Sequence, residues 1–546
     1  MGAIDLTVIL VFTLLVFICG MSFSRSGKNM KSFFAAGGAL PWWMSGLSLF
    51  MSFFSAGTFV VWGSIAYQSG WVAIAIQWTM CIAGIIIGLF IAPRWQKTGA
   101  LTAAEYITDR LGYKTQKVYT YLFLLISVFT TGAFLYPVAK IVEVSTGIPI
   151  YASIVFLGVL ILIYTTVGGL WAVIVTDVLQ FVVLTAAVLI VVPMSFDKIG
   201  GISEFVNNAP DHFFDFVNDE YSPLFMVAFG LYNLFFIAGN WAYVQRYTSV
   251  GSPKDAKKVG LLFGGLYVFS PLIWMLPPMI YRVLNPDLGG LADEGAYLLM
   301  CKEVLPVGML GLMLGGMVFA TSSSVNTTLN ISAGVLANDV YKNLKPNASD
   351  EQLVKVGKIA TISLGVITII VALLVPMLGG IVEVVMSLAA LTGGAMFLPP
   401  LWSLFSKNIT GKSALTVTVI SLIVNAFFKF LAPSLINVEL GRAPEMMLGV
   451  GLPIVLLLIS EFIISGSPSK GTEYEMYQTK NNAKVKVEED ETAGNKKGAR
   501  VIGIGVGATG SLILGLSFIA ENGATLVGSM GLIVLIVGAI IVYKNK

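Results

Sequence analysis

Apolar positions along this chain gather into long runs separated by short polar stretches. Fifteen such runs can be traced, at approximately 5–22, 40–68, 70–93, 116–141, 149–167, 170–194, 223–244, 258–282, 306–339, 355–377, 380–405, 413–433, 444–464, 500–520 and 523–543. They exceed the roughly 17 residues a helix needs to cross hydrocarbon, and the alternation of a barrel strand is not seen. The pattern predicts an all-α polytopic membrane protein with about 15 transmembrane helices. Two runs carry interruptions that a lipid-facing span would not need: Ser52-Phe53-Phe54-Ser55-Ala56-Gly57 in the second and Ala238-Gly239-Asn240 in the seventh. They lie five helices apart. A five-helix unit repeated in tandem enters the membrane from the opposite side the second time, because five is odd, so helices two to six and seven to eleven are predicted to form an inverted repeat. Paired broken helices in corresponding positions point to a midplane site, since unwound backbone exposes carbonyls and half-helix ends to a cavity. Gly and Ser at the same places would also serve close helix packing.

The ninth run is unusual for its polar content. Between Gly315 and Tyr341 it holds Thr321, Ser322, Ser323, Ser324, Asn326, Thr327, Thr328 and Asn330. An unpaired hydroxyl or amide at membrane depth costs roughly 2–7 kcal/mol, so these groups should face a cavity or a ligand. At helical spacing Ala320, Ser323, Ser324 and Thr327 share one face, with Ser323, Asn326 and Asn330 on an adjoining one. Neutral oxygens on one face suit a small hard cation. The competing use of such hydroxyls is to bond back to the preceding helical turn.

Composition agrees with the pattern: 546 residues, 56% hydrophobic and only 12% charged, with a mean hydropathy of +0.85, are too apolar for an ordinary soluble protein. The first run has Asp5 before it and Arg25, Lys28 and Lys31 after it, the reverse of a secretory signal peptide. An N-terminus outside and a C-terminus in the cytoplasm are therefore expected, in the plasma (inner) membrane. That orientation places 27 of the 33 basic residues inside, Arg246 among them. The basics are dispersed and the net charge is +3, which gives no signal for nucleic acid. Cys19, Cys81 and Cys301 share no ligand spacing and the only histidine, His212, falls in a loop, which argues against a zinc site or a histidine proton relay. Residues 465–500 mix charges of both signs with little apolar content and are predicted to be a disordered cytoplasmic linker. Glu383 and Glu461 fall in apolar runs and should sit near interfaces. The organisation expected is an extra helix and loop (1–39), a ten-helix core (40–405), two further helices (406–464), the linker (465–499) and a terminal hairpin (500–546).

Several stretches resemble the sodium:solute symporter family, which includes sodium/galactose, sialic acid, proline, iodide and pantothenate carriers. They are Phe33-Phe34-Ala35-Ala36-Gly37-Gly38-Ala39-Leu40-Pro41-Trp42-Trp43; Gly147-Ile148-Pro149 through Tyr164-Thr165-Thr166-Val167-Gly168-Gly169-Leu170-Trp171-Ala172 to Thr176-Asp177-Val178-Leu179-Gln180; Val244-Gln245-Arg246-Tyr247; and Asn338-Asp339-Val340-Tyr341-Lys342. The resemblance covers about residues 30 to 460 and implies a leucine-transporter-type fold, in which two inverted five-helix units alternate access under a sodium gradient. It implies a Na+ site formed by the carbonyls of Met51 and Phe54 at the first break, the Ala320 carbonyl, and the hydroxyls of Ser323 and Ser324. Neutral oxygens can replace a monovalent ion's hydration shell without holding it too tightly to leave. In some members an Asp matching Asp177, with groups matching Asn326 and Thr327, forms a second sodium site. Asp177 could equally be a helix-start carboxylate stabilised by exposed amides, with Thr176 as cap.

The solute is less constrained. Polar positions that the sialic acid branch uses match Ser55, Thr58 and Gln77, but its carboxylate-pairing Arg corresponds to the stretch Thr130-Thr131-Gly132-Ala133. The galactose branch places Glu and Gln where this chain has Gly57 and Thr58. With no buried counter-charge evident near Thr58 and Gln77, a neutral polar solute such as a sugar is expected. Phe53, Trp78, Trp241 and Tyr243 could stack on a ring or gate it, or simply pack, and Asn240 matches a cavity-lining position. Sialic acid, monocarboxylate or amino acid symport is the alternative within the family. A proton-coupled carrier would need a titratable midplane group, for which Asp177 is the candidate. A membrane sensor or enzyme would need a signalling domain or a catalytic constellation, and the sequence shows neither.

Overall fold

The computed structural model describes residues 2–22, 40–100, 102–164, 170–341, 344–345, 347–465, 472–483 and 492–545. Of the residues singled out above, Arg25, Lys28, Lys31, 33–39, 165–169, Lys342, 466–471, 484–491 and the side chains of Tyr164, Leu170, Trp171, Ala172, Ser322, Ser323, Asn326, Thr327, Asn330, Asn338 and Asp339 lie outside that set. Each of the fifteen apolar runs carries helix. They are α1 (Ala3–Met21), the broken α2 (Trp42–Met51 and Gly63–Ser69, joined through a wide π turn at Thr58–Trp62), α3 (Trp71–Lys97), α4 (Tyr113–Thr146), α5 (Ile150–Tyr164), α6 (Leu170–Lys198), the broken α7 (Pro223–Gly239 and Trp241–Thr248), α8 (Pro253–Leu284), α9 (Met309–Val335), α10 (Asp350–Leu374), α11 (Ile381–Trp402), α12 (Gly411–Leu435), α13 (Arg442–Ser465), α14 (Thr492–Ser517) and α15 (Ala524–Lys544). Among the described residues, 11 helices are long and apolar enough to cross a membrane, or 12 with the pieces of α7 taken as one bent span. The other three runs are α2, divided by its break, and α5 and α9, whose described apolar stretches are shorter.

Glycine sets the closest approach in the core. The helices α3 and α8 hold the second place in their respective five-helix units, and they meet at Gly84, Gly88, Gly260 and Gly264. A Cβ on Gly260 would lie 2.5 Å from Gly88 Cα, and one on Gly88 would lie 2.7 Å from Leu261 N and 2.9 Å from Lys257 O. Backbone cannot yield as a flexible side chain can. Small residues here allow van der Waals contact between backbones where lipid supplies no hydrophobic drive.

Outside the core, α1 and α14 pack with α6 into a second apolar cluster that includes Phe12, Val16, Leu179, Val506 and Ile513. The buried Asp5 carboxylate accepts from Gly308 N at 2.8 Å and Gly311 N at 3.2 Å, satisfying amides at the start of α9. Between α8 and α9, Glu294 accepts from Tyr136 of α4 (2.7 Å) and from Ile381 N at the start of α11 (2.8 Å), while neighbouring Asp293 accepts from Gln68 of α2. Burial pushes both carboxyls above their ordinary values. Glu383 pairs with Lys429 (3.1 Å) and Arg442 (3.4 Å), and Glu461 accepts from Trp402, Ser406 and Asn408.

The linker is where the structure departs from the sequence reading. Helix covers Thr472–Ala483 within it, and α14 already begins at Thr492. Charge content obscured the anchors. Glu473 accepts from Gly411 N at the start of α12 (3.1 Å), the buried Arg110 guanidinium lies 5.2 Å from the Tyr474 ring, and Tyr477 meets Tyr106 edge-on at 5.8 Å.

The Gly88 contact yields a prediction. Gly88→Leu should destabilise the purified protein by about 3 kcal/mol, the upper end of overpacking costs, and lower its thermal transition in detergent.

Candidate functional site

The helical ladder of α2 stops at Met51, and Ser52–Ser55 form turns before helix resumes at Ala56. Stopping a helix at membrane depth strands donors and acceptors that water cannot reach. On the donor side, side chains satisfy them. Ser55 N donates to Thr58 Oγ1 at 3.2 Å, Thr58 Oγ1 in turn donates to the Phe53 carbonyl, and Ala56 N donates to Thr321 Oγ1 of α9 at 3.0 Å. On the acceptor side the Phe50 carbonyl takes Phe53 N and Phe54 N, each at 3.0 Å. Among the described residues, no hydrogen bond reaches the carbonyls of Met51, Ser52 or Phe54.

The second break is resolved differently. The two pieces of α7 meet at 60°, with Asn240 extended at φ −66° and ψ 131°. Asn240 Oδ1 accepts from Ala242 N at 3.0 Å and so caps the second piece. Two of the carbonyls stranded at the end of the first piece have donors, Ala238 O from Trp95 Nε1 of α3 (2.8 Å) and Ile237 O from Tyr247 Oη (3.3 Å).

A cavity of about 210 Å³ lies between the breaks, walled by α2, α4, α6, α7, α9 and α11. Of the positions expected to touch solute, Phe53, Ser55, Thr58, Asn240 and Tyr243 line it, whereas Gln77, Trp78 and Trp241 do not. Trp241 stacks flat on Phe123 at 4.7 Å and 8°, and Phe123 presents its ring to the cavity instead. Gln77 is buried, with its amide nitrogen 3.5 Å from Ala73 O, and Trp78 donates to Val268 O at 3.1 Å. Phe53 packs on Tyr243 at 4.9 Å and Phe263 at 5.5 Å, closing one side. Thr58 is committed to the break, since its hydroxyl both accepts and donates there. Ser127 and Thr130 of α4, which sequence reasoning had not assigned to the site, add hydroxyls to the wall.

Of the positions implied for sodium, Met51 and Ser324 line the cavity. Ala320 is buried on α9 one residue before Thr321, the partner of Ala56. Back-bonding along α9 is uneven. Thr321 and Thr328 donate to the carbonyls four residues earlier at 3.0 Å, but Ser324 Oγ sits 3.5 Å from Ala320 O, at the limit for a hydrogen bond.

Asp177 is not at a helix start. The described part of α6 begins at Leu170, which places Asp177 two turns inside, and Thr176 bonds back to Val173 O at 2.9 Å instead of capping. The carboxylate lines the cavity and accepts from Ser48 Oγ of α2 at 2.6 Å. Arg246, assigned by the charge count to the cytoplasmic surface, is only 4% exposed and lines the same cavity. Its NH1 donates to Ala242 O (3.1 Å) and Gln245 Oε1 (3.2 Å). The clue in sequence was its distance from the break: six residues after Asn240, it stays within two turns of the midplane.

With this geometry in place, residues 33–421 match the model of the sodium:solute symporter family. The chain belongs to that family. The symporter is 29% identical over 472 residues to the sodium/glucose cotransporter of Vibrio parahaemolyticus, covering 79% of this chain and 86% of that one. It is 28% identical over 439 residues to a sodium/sialic acid symporter of Proteus mirabilis (strain HI4320), covering 77% and 88%. Its fold is similar to that of a substrate-bound, outward-open, sodium-coupled sialic acid symporter, with a TM-score of 0.69 at 24% identity over 85% of this chain and 98% of that one. A nucleobase-cation-symport-1 family transporter in a closed conformation is also similar, with a TM-score of 0.51 at 14% identity over 82% and 99%. The symporter is accordingly a multi-pass membrane transporter of the leucine-transporter fold, coupling a small solute to sodium, and not an enzyme. Sodium is carried cargo here and not a resident cofactor.

The cap on α7 can be tested directly. Asn240→Ala should lower stability by about 1 kcal/mol, and Asn240→Ser should restore most of it, read as thermal transitions of the purified symporter.

Proposed function

We propose that the symporter imports a neutral polar solute, a sugar or a related compound, together with sodium held by the carbonyls of Met51, Phe54 and Ala320 and the hydroxyls of Ser323 and Ser324. The observation that carries the ion site is the asymmetry of the two breaks. The stranded carbonyls Ile237 and Ala238 of α7 have protein donors, while those of Met51 and Phe54 in α2 have none among the described residues. A bound cation supplies what the backbone lacks. Ser324, lining the cavity and scarcely held by its own helix, is free to turn toward it.

The solute class follows from charge. Among the described residues, Asp177 and Arg246 are the two charged ones on the cavity wall, and their charges are opposite. A neutral solute then enters without leaving an ion unpaired; the Ser55 hydroxyl faces it, and Thr130, whose proton goes to helix carbonyls, keeps lone pairs to accept from it. The sodium/glucose relatives favour this reading. A carboxylated solute such as a sialic acid is the second reading, favoured by the buried Arg246 Nε, which lacks a partner. A second sodium at Asp177, with Asn326 and Thr327, would take the Oδ1 side of the carboxylate, since the Ser48 hydroxyl bonds Oδ2. Import follows from coupling to a sodium gradient directed into the cell.

Thermal stabilisation of the purified protein by sugars, sialic acids, monocarboxylates and amino acids, each in sodium and in potassium, tests the assignment. A sugar that stabilises only in sodium supports it, a sialic acid hit selects the second reading, and equal effects of both cations with every solute would refute sodium coupling through this site. Ser324→Ala should raise the half-saturating sodium concentration about tenfold, or roughly 1.4 kcal/mol, while the protein still reaches the membrane. Native sodium activation in that variant would sink the ion site.

A further inference from the structure

We propose that Thr321 is a positioning residue for the ion-coupled step, whose hydroxyl sets the distance between the first break and α9. The inference rests on the ion-site reading above and goes beyond it, because Thr321 is not among the ion ligands. Three observations carry it. The hydroxyl donates to Met317 O at 3.0 Å, so its proton points along α9 and its lone pair is left for the Ala56 amide at 3.0 Å. The direction of the second bond is thereby fixed. Thr321 is 1% exposed, so water does not compete for either group. Among the described residues, this is the one hydrogen bond running from the break, residues 52–58, to α9.

Its place in the chain gives it leverage. Thr321 follows Ala320 directly, and Ala56 lies two residues after Phe54. The carbonyls of Phe54 and Ala320 therefore lie within two residues of a 3.0 Å contact between their helices. Ion coordination is sensitive to ligand spacing, and a contact that presets the spacing lets sodium bind without ordering the break itself. Ala56 is also the first residue of the resumed helix, where an amide has no partner within its own helix. Thr321 thus satisfies that donor and joins the two halves of the site in a single bond.

The test is sodium titration of the full-length protein, following stabilisation by sodium chloride against potassium chloride. Thr321→Val keeps shape and removes the hydroxyl; it should raise the half-saturating sodium concentration roughly fivefold, the size of one lost hydrogen bond, and Thr321→Ser should restore it. Ala56→Pro removes the donor at a helix position that tolerates proline, and should have the same effect if the Val variant fails to fold. The double variant should be no worse than either single one. Unchanged sodium saturation in Thr321→Val, equal defects in the Val and Ser variants, or additive effects in the double variant would each overturn the proposal. If Ser324→Ala shifts sodium saturation and Thr321→Val does not, the inference fails alone; if neither shifts it, the ion-site reading fails too.

Discussion

Every backbone amide and carbonyl at membrane depth needs a partner, and a helix that breaks there gives up several at once. Both broken helices here answer to that constraint, by different means. At the second break side chains supply three partners: Asn240 caps, Trp95 reaches across from α3, and Tyr247 reaches back along its own chain. At the first break, Thr58 and Thr321 take care of the amides, and the carbonyls remain. A group of neutral carbonyl oxygens is a suitable seat for a monovalent cation, and in the proposed reading sodium completes the structure as well as supplying energy.

That view ties energetics to function. In the proposed reading, sodium joins α2 to α9 and so favours whichever conformation brings the break and the helix together. Solute bound against the same break then gains affinity when sodium is present, and by linkage raises sodium's affinity by the same factor. The cavity's own charges are balanced, with Asp177 anchored to α2 by Ser48 and Arg246 anchored to its own helix by Ala242 and Gln245. A neutral wall of this kind leaves selectivity to hydroxyl geometry and ring packing.

The sequence made the helices and both breaks legible because their signals are local: long apolar runs, and Ser, Gly and Asn where the helical period should continue. The pairing of the breaks also revealed the repeat. What could not be read were partners distant in sequence. Nothing near Ala238 announces that Trp95 will satisfy its carbonyl, and Thr321 looks like any back-bonding threonine until Ala56 is found beside it. Counting basics by loop assigns Arg246 to one side of the membrane but says nothing of depth, and the broken helix draws it into the cavity wall. Mixed charge and low apolar content made the stretch around Tyr474 and Tyr477 read as a disordered linker, although its aromatic rings fit Arg110 and Tyr106.

Hydrogen–deuterium exchange across residues 52–58 of the purified symporter, in sodium and in potassium at equal ionic strength, tests most directly whether the ion completes the first break. The account predicts slower exchange of this segment in sodium, with the Asn240 region at the second break little changed. Equal exchange at the first break in the two cations would contradict it.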